Sequence, residues 1–270
     1  MADDELTLTS RISLGDSGTQ MPILGFGVYE IDRPKTTQAC LCALSAGYRL
    51  IDTAQIYQNE EEVGFALHQS NLPREDIFVT TKVRYPRLGK GKTYLRVLQS
   101  VQKIDPREEG YVDLFLIHSP HGLKPKERKE LWLALEKLHE EGKAKAIGMK
   151  EYATYWPPAV NQILLHPWTQ QRDLVEYCST QGIVLQAFSP LTGGKKLRDP
   201  MLGNIAERIG KSPAQILIRY CLQKGWVPLV RSEKEERIKQ NLEAFDFCIA
   251  KDHMATLDSL DRLGMPSQFL

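Results

Sequence analysis

The sequence has 270 residues and a mass of 30.7 kDa, with 35 Lys and Arg residues against 34 Asp and Glu residues. The resulting net charge of +1 excludes the broad basic field that binds nucleic acid or anionic membranes, so we expect neither as a partner. With 42% hydrophobic and 26% charged residues, the composition is that of a folded globular protein rather than a disordered chain. We expect a single domain over residues 1–270, because this length accommodates one large core.

The first five residues, MADDE, are acidic where a signal peptide is basic, and no apolar run reaches the ~18 residues of a membrane span. We therefore expect a cytoplasmic protein. No C-x-x-C pair occurs, and His118 and His121 have no third ligand at a suitable spacing, so we expect no disulfide framework and no metal. We expect all the cysteines to be buried as small hydrophobic side chains. They are Cys40, Cys42, Cys178, Cys221 and Cys248.

The chain begins with a predicted β-hairpin over residues 6–21, around the GDSG turn at 15–18. Beyond it, short apolar runs alternate with longer segments of helical period, the pattern of an α/β protein with a parallel sheet. Eight strands over about 250 residues favour a (β/α)8 barrel, a TIM barrel, over an open doubly wound sheet. The predicted strands are residues 23–26, 48–52, 77–82, 112–118, 144–149, 159–163, 183–188 and 226–230.

Two of the intervening helices have clear sequence signals. Leu131, Leu135 and Leu138 recur at helical spacing and mark the apolar face of one helix. Ser212 and Gln215 form a capping box at the start of another, with a proline between them at a position that needs no N–H.

Two features conflict with a regular barrel. Pro228 lies inside the eighth strand, where its missing N–H argues against full pairing. Only about nine residues, 150–158, separate the fifth and sixth strands, whereas a helical crossover needs at least ~10 to 12. We therefore expect the fifth crossover helix to be missing, with Tyr152, Tyr155 and Trp156 covering the gap. A bare patch there would promote association, and we expect a monomer or a weak homo-oligomer.

The carboxyl ends of the predicted strands carry a set of complementary polar residues. Asp52 ends the second strand, Lys82 the third and His118 the fourth, and Tyr57 follows five residues after Asp52. Because catalytic side chains of a parallel barrel project from these strand ends, we expect the four to converge at one mouth. A phenol, an ammonium, a carboxylate and an imidazole together predict a proton-transfer site.

Elementary electrostatics assigns their roles. An ammonium within ~4 Å stabilises a phenolate by about 4 kcal/mol at an effective dielectric of 20. We therefore expect Lys82 to lower the pKa of Tyr57 and to make it a usable general acid. Asp52 is expected to pair with Lys82, and His118 to hydrogen-bond the substrate oxygen.

The stretch GYRLIDTAQIYQNEEEVG at residues 47–64 resembles the signature of the aldo-keto reductases. Four further motifs match that family in order and approximate spacing, so the resemblance covers about residues 12–261. They are GFGVY at 25–29, VTTK at 79–82, LIHSP at 116–120 and PAVNQ at 158–162.

The resemblance implies a (β/α)8 barrel that uses NADPH to reduce small aldehydes or ketones. Tyr57 is then the proton donor, with Asp52, Lys82 and His118 completing a catalytic tetrad, and Phe188 stacks on the nicotinamide. The residues implied to bind the cofactor are Asp52, Gln162, Phe188, Ser189, Leu191, Arg231, Ser232, Arg237, Gln240 and Asn241. Those implied to contact the substrate are Tyr29, Arg84 and His118.

The segment at 229–241 bears on the choice of cofactor. It carries two arginines, Arg231 and Arg237, and guanidinium groups clamp a phosphate bidentately, which favours NADPH over NADH.

The chain departs from the family pattern in two places. Lys150 and Glu151 replace a Ser-Asn pair that holds the nicotinamide carboxamide. Arg84 and Ser119 replace tryptophans, which predicts a more polar pocket for an anionic or hydroxylated substrate. Two alternatives follow: a cofactor-independent isomerase, dehydratase or cyclase on the same barrel, and a non-catalytic binding protein or truncated isoform.

Overall fold

A computed structural model describes residues 6–261 apart from residues 16–17, 88, 90 and 151–157, and describes Lys150 by its backbone alone. The chain starts with two short antiparallel strands, β1 (Arg11–Ser13) and β2 (Gln20–Pro22), in which Ile12 lies opposite Met21. The predicted N-terminal hairpin is thus confirmed.

Within the described residues, eight parallel strands close into a barrel in which each strand pairs with the next along the chain and β10 pairs back with β3. All eight predicted strands are confirmed, because every observed strand overlaps its predicted range. The bounds are β3 Gly25–Gly27, β4 Leu50–Asp52, β5 Phe78–Val83, β6 Val112–Ile117, β7 Ala144–Lys150, β8 Val160–Leu164, β9 Val184–Phe188 and β10 Val227–Val230.

Pro228 is accommodated by a short ladder. On the β9 side it lies opposite Ala187, whereas pairing with β3 begins only at the next residue, Leu229. Strand β10 is therefore paired on both sides, but its ladder with β3 spans two residues, Leu229 and Val230.

Helices pack around the outside of the barrel. Leu131, Leu135 and Leu138 are fully buried on the inner face of the fourth helix. The capping box of Ser212 and Gln215 is present at the start of the seventh. The bounds are α1 Arg33–Ala46, α2 Glu60–Gln69, α3 Lys92–Ile104, α4 Pro125–Glu140, α5 Arg172–Thr180, α6 Pro200–Ile209, α7 Pro213–Gln223, α8 Glu235–Gln240 and α9 Lys251–Asp258.

The barrel interior is apolar at the end where the strands begin and polar at the end where they finish. Leu14 and Met21 of the hairpin pack into a cluster with inward-facing strand residues such as Leu50, Leu114 and Val160. The hairpin therefore contributes to the core at the end of the barrel where the strands begin, and the opposite end, where they finish, carries polar side chains.

The fifth crossover is short. β7 ends at Lys150 and β8 begins at Val160, which leaves residues 151–159 between them. The predicted loss of the crossover helix, and its predicted cover by Tyr152, Tyr155 and Trp156, lie outside the described residues.

The prediction that every cysteine is buried was wrong at two positions. Cys248 is exposed and Cys42 half-buried. Cys42 lies in α1, where it packs against the core without being enclosed by it, and Cys248 lies in the segment between α8 and α9, so neither belongs to a barrel strand. No helix in the described part of the chain is both long and apolar enough to cross a bilayer. Among the same residues, no cluster of three or more His, Cys, Asp or Glu side chains is arranged to hold a metal ion.

Candidate active site

Lys82 is the centre of a polar cluster at the mouth formed by the strand ends. Its Nζ atom lies 2.5 Å from Oδ1 of Asp52 and 2.9 Å from the carbonyl oxygen of Thr53, both at the end of β4. Nζ also lies 3.5 Å from the hydroxyl of Tyr57. The predicted convergence of these side chains is what the structure shows.

The position of Tyr57 follows from the loop after β4. Residues Gln55–Tyr57 form a 3₁₀ turn in which the Tyr57 N–H donates to the carbonyl of Ala54. Gln58 then takes a left-handed backbone conformation, with φ of 58°. This turn brings the ring of Tyr57 to Lys82, whose Nζ atom lies 5.1 Å from the ring centroid.

The pKa of Tyr57 shifts in the opposite direction to the one predicted. Burial raises it well above its ordinary value, and the Asp52 carboxylate raises it further. The prediction took into account the ammonium of Lys82 alone. Because Nζ of Lys82 lies closer to Asp52 (2.5 Å) than to the phenol (3.5 Å), the carboxylate of Asp52 largely balances its charge. Tyr57 therefore stays protonated through the neutral range.

Lys82 is itself fully buried, and burial lowers its pKa while the neighbouring Asp52 raises it. A buried ammonium keeps its charge only when it is paired and hydrogen-bonded. The carboxylate of Asp52 and the carbonyl of Thr53 supply both conditions.

Two aromatic groups flank Tyr57. The ring of His118 meets it edge to face, with centroids 5.5 Å apart, and that of Tyr29 lies 5.0 Å away at a tilt. His118 is buried, whereas 54% of Tyr29 is exposed at the rim. The fourth member of the predicted tetrad is thus beside Tyr57, and a predicted substrate contact lies on its open side.

Gln162 closes the cluster from across the barrel. Its Nε2 atom donates to Oδ2 of Asp52 at 2.9 Å and to Oε1 of Gln186 at 2.9 Å. Both amides are buried. Gln162 therefore fixes the second oxygen of the carboxylate that holds Lys82, and its predicted contact with a nicotinamide carboxamide stays a prediction.

Arg84 directly follows β5, the strand that carries Lys82, and so lies at the rim of the barrel. It is exposed, its guanidinium lies 5.2 Å from the ring centroid of Tyr85, and it forms no ion pair with any described residue. Among the described residues, the positive charge of Arg84 thus has no acidic partner.

The predicted cofactor residues after β9 also lie at this mouth. Phe188 ends the strand and is half-buried, and Ser189 follows it with a φ of 52°. Leu191 is half-buried against two hydrophobic clusters of the core.

The segment after β10 forms another edge of the mouth. Arg237 is exposed and pairs with no carboxylate among the residues described here, whereas Arg231 donates to the carbonyl of Glu30 at 2.6 Å and lies 3.3 Å from Glu233. Glu233 in turn lies 3.0 Å from Nζ of Lys35. Arg231 thus shares its charge with Glu233, whereas Arg237 has no carboxylate partner in the part of the chain that the structure describes.

Three further residues of this segment were predicted to bind the cofactor. Ser232 closes a local turn by accepting from the N–H of Lys234. Gln240 is exposed, while Asn241 is buried. The role of both residues toward a cofactor stays a prediction.

The sequence interpretation missed three buried polar residues around this site. Gln186 completes the amide pair, Asn59 anchors the loop that carries Tyr57, and Glu60 accepts hydrogen bonds from Thr81 and Ser100. A glutamine in the middle of the apolar strand VLQAF is a signal for Gln186. Asn59 and Glu60 lie in a polar stretch, and nothing in it distinguishes buried from exposed residues.

A closed parallel barrel with polar side chains gathered at the carboxyl ends of its strands is the architecture of the α/β-barrel enzymes. Comparisons with known proteins identify the enzyme family. The sequence model of the aldo/keto reductase family matches residues 23–262. The chain belongs to the aldo/keto reductase family and is an NAD(P)H-dependent oxidoreductase.

Individual relatives agree with this assignment. An uncharacterized oxidoreductase of Schizosaccharomyces pombe is 40% identical over 262 residues, which cover 91% of this chain and 92% of the relative. A glyoxal reductase of Bacillus subtilis is 38% identical over 257 residues, with 91% of each chain covered. The crystal structure of a Bombyx mori aldo-keto reductase in complex with NADP superposes with a TM-score of 0.83 at 30% identity, covering 95% of this chain and 94% of that one.

Proposed function

We propose that the protein reduces an aldehyde or ketone to the alcohol with NADPH, and that Tyr57 is the proton donor. The observation that carries the proposal is the hydroxyl of Tyr57, 3.5 Å from Nζ of Lys82 at the open end of the barrel. When bound, NADPH supplies a hydride to the carbonyl carbon.

The raised pKa of Tyr57 fits a donor rather than a base. The phenol carries its proton until the carbonyl oxygen develops negative charge, and then passes that proton from its oxygen to the forming alkoxide. The phenolate left behind lies beside the ammonium of Lys82, which stabilises it. Lys82 thus acts on the product of the proton transfer rather than on the resting phenol.

The remaining groups position the reactants. Asp52, at 2.5 Å, keeps Lys82 charged and in place, and Gln162 orients Asp52. The ring of His118 stands edge-on to Tyr57, and this proximity supports a hydrogen bond from His118 to the substrate oxygen.

The residues along the mouth suit a dinucleotide phosphate. Arg237 offers an exposed guanidinium that pairs with no carboxylate of the described residues, Arg231 offers a second guanidinium, and Ser232, between them in sequence, offers a hydroxyl. The planar guanidinium group of arginine can donate two parallel hydrogen bonds to a phosphate. Phe188, at the end of β9, offers an aromatic face on which a flat ring can stack. On this basis Arg231, Ser232 and Arg237 would hold the phosphate of the adenosine end, and Phe188 the nicotinamide. The other proposed cofactor contacts are Asp52, Gln162, Ser189, Leu191, Gln240 and Asn241.

The charge of Arg84, which no carboxylate of the described residues pairs, favours a substrate that carries an anionic group. Tyr29, half-exposed beside Tyr57, provides an apolar wall on the same side. The glyoxal reductase named above makes small carbonyl compounds a reasonable first panel.

Titration with NADPH, followed by quenching of tryptophan fluorescence, tests cofactor binding without any substrate. We expect saturation with NADPH, weaker binding of NADH, and a loss of that difference in Arg237→Ala. Lys234→Ala, a neighbouring exposed cation, is the matched control and should keep the preference. Absence of saturation would contradict the proposal and favour a cofactor-independent reaction on the same barrel.

A matched pair of substrates tests the anionic preference. Benzaldehyde and 4-carboxybenzaldehyde differ only in a carboxylate, so we expect a lower KM for the carboxylate form and no such difference in Arg84→Gln. Equal KM values in the unmodified protein would remove Arg84 from the substrate site.

A further inference from the structure

Asn59 is a fully buried amide two residues beyond Tyr57. Its Oδ1 atom accepts from the hydroxyl of Thr53 at 2.8 Å, and its Nδ2 atom donates to the carbonyl of Val28 at 3.0 Å. Longer contacts of 3.5 Å and 3.4 Å reach the carbonyl of Ile31 and the hydroxyl of Thr36. One side chain thus joins the loop after β4 to the loop after β3.

Each of these two loops carries one of the aromatic rings of the mouth. Tyr57 belongs to the first loop, and Tyr29, which follows Val28 directly, belongs to the second. Their ring centroids are 5.0 Å apart. The hydrogen bond from Asn59 to Val28 is therefore a direct link between the backbones that carry the proposed proton donor and the proposed substrate wall.

Both loops also contain a backbone conformation that needs support. Glu30 and Gln58 each have a φ of 58°, although neither is glycine. Such conformations persist only where surrounding contacts hold them. Asn59 is adjacent to Gln58 in sequence, and it contacts the carbonyls of Val28 and Ile31 on either side of Glu30.

We infer that Asn59 is a positioning residue, which fixes the hydroxyl of Tyr57 relative to Tyr29 and thereby to the carbonyl that is reduced. This inference rests on the proposed role of Tyr57 as the proton donor. Asn59 itself does not touch the substrate, so its effect must pass through Tyr57.

The test variant is Asn59→Asp, which keeps the shape and the acceptor for Thr53 but replaces the donor to Val28 with a carboxylate oxygen. Thr53→Val is a milder second variant, because it removes the other half of the anchor at nearly constant volume. Gln223→Leu is the matched control. Its half-buried amide also joins two segments, through two hydrogen bonds to the backbone of Ile249, but it lies at the end of α7 that precedes β10, away from the mouth.

We expect Asn59→Asp to lower kcat about 10- to 100-fold, because a displacement of ~1 Å at a reacting group costs up to ~100-fold. KM should change less than about threefold, since the cofactor and substrate contacts remain. Thr53→Val should lower kcat less, and Gln223→Leu should leave it unchanged. A kcat of Asn59→Asp within twofold of the unmodified protein would overturn the inference.

A double-mutant cycle separates positioning from general damage. In single turnover, Asn59→Asp should cost less than about twofold when Tyr57 is already phenylalanine, because the group it positions is gone. An equal fold-loss in both backgrounds would show that Asn59 does not act through Tyr57.

Hydrogen–deuterium exchange provides a reading that does not depend on activity. In Asn59→Asp, peptides covering residues 28–37 and 53–59 should exchange faster together, and in Gln223→Leu neither should change. Unchanged exchange in both loops would refute the link even if activity fell. If Tyr57→Phe keeps the full rate, it is the proposed function that fails, and the exchange result still decides whether Asn59 joins the loops.

Discussion

Replacing Asp52 by asparagine tests the buried ion pair on which the site depends. The Asp52 and Lys82 side chains are 6% and 0% exposed, with the charged atoms 2.5 Å apart. Asparagine keeps the shape and can still accept from Gln162, so the change removes the charge and little else. Breaking a buried pair by removing one partner costs about 3 to 5 kcal/mol, because the other charge is left without compensation.

This cost predicts a large fall in melting temperature. A chain of this size loses ~2 to 4 °C per kcal/mol, so Asp52→Asn should melt about 6 to 20 °C below the unmodified protein. Asp246→Asn is the control, because Asp246 is 61% exposed and lies 3.6 Å from Lys211. An exposed pair of this kind is worth ~0 to 1 kcal/mol, so the control should change little.

The pH dependence of the stability lost in Asp52→Asn is an independent test. Burial lowers the pKa of Lys82, and Asp52 opposes that shift, so Asp52→Asn lowers the pKa of Lys82 further. Consider a pH between the pKa of Lys82 in the folded variant and its pKa in the folded unmodified protein. There the folded variant has lost a proton that its unfolded chain still binds, so the stability of the variant rises with pH. Urea unfolding at pH 6 and pH 9 should therefore show a smaller deficit at pH 9. A deficit that grows with pH, or a melt within 2 °C of the control, would refute the reasoning.

Three further predictions follow from individual contacts. Because the pKa of Tyr57 is raised, kcat/KM for reduction should not fall with a pKa near 7, and a decline between pH 6.5 and 8 that Tyr57→Phe abolishes would contradict this. Ser212→Ala removes the acceptor for the N–H of Gln215 and should cost about 1 kcal/mol in urea unfolding; no loss would argue against the cap. Burial lowers the pKa of His166 to about 4, so its ring signals in NMR should not shift between pH 5.5 and 8, and a midpoint near 6.5 would place it in solvent.

The barrel was predictable because its signals are local. Runs such as VDLFLI in β6 are long, apolar and bounded by polar residues, and they identify buried parallel strands without knowledge of their neighbours. The capping box of Ser212 is equally local. The short fifth crossover follows from counting residues. The single domain over residues 1–270 stays a prediction.

The site was predictable only in part. Asp52, Lys82 and His118 lie at strand ends, so the fold alone brings them together. The pKa of Tyr57 depends on distances that no sequence pattern contains, and the balance between burial, Asp52 and Lys82 reversed the predicted direction. Asn59 could not be identified for the same reason, because its partners Val28 and Thr53 lie on two different strand-to-helix loops.

The most direct test of the central claim is the rate of NADPH oxidation at pH 7 with 4-carboxybenzaldehyde and with glyoxal, measured for the unmodified protein and for Tyr57→Phe. General acid catalysis by a positioned side chain contributes ~10²- to 10⁴-fold, so we expect kcat to fall by about that factor. NADPH affinity, from fluorescence quenching, should change less than about threefold. Equal rates in the two proteins, with NADPH bound equally well, would show that the phenol of Tyr57 does not supply the proton.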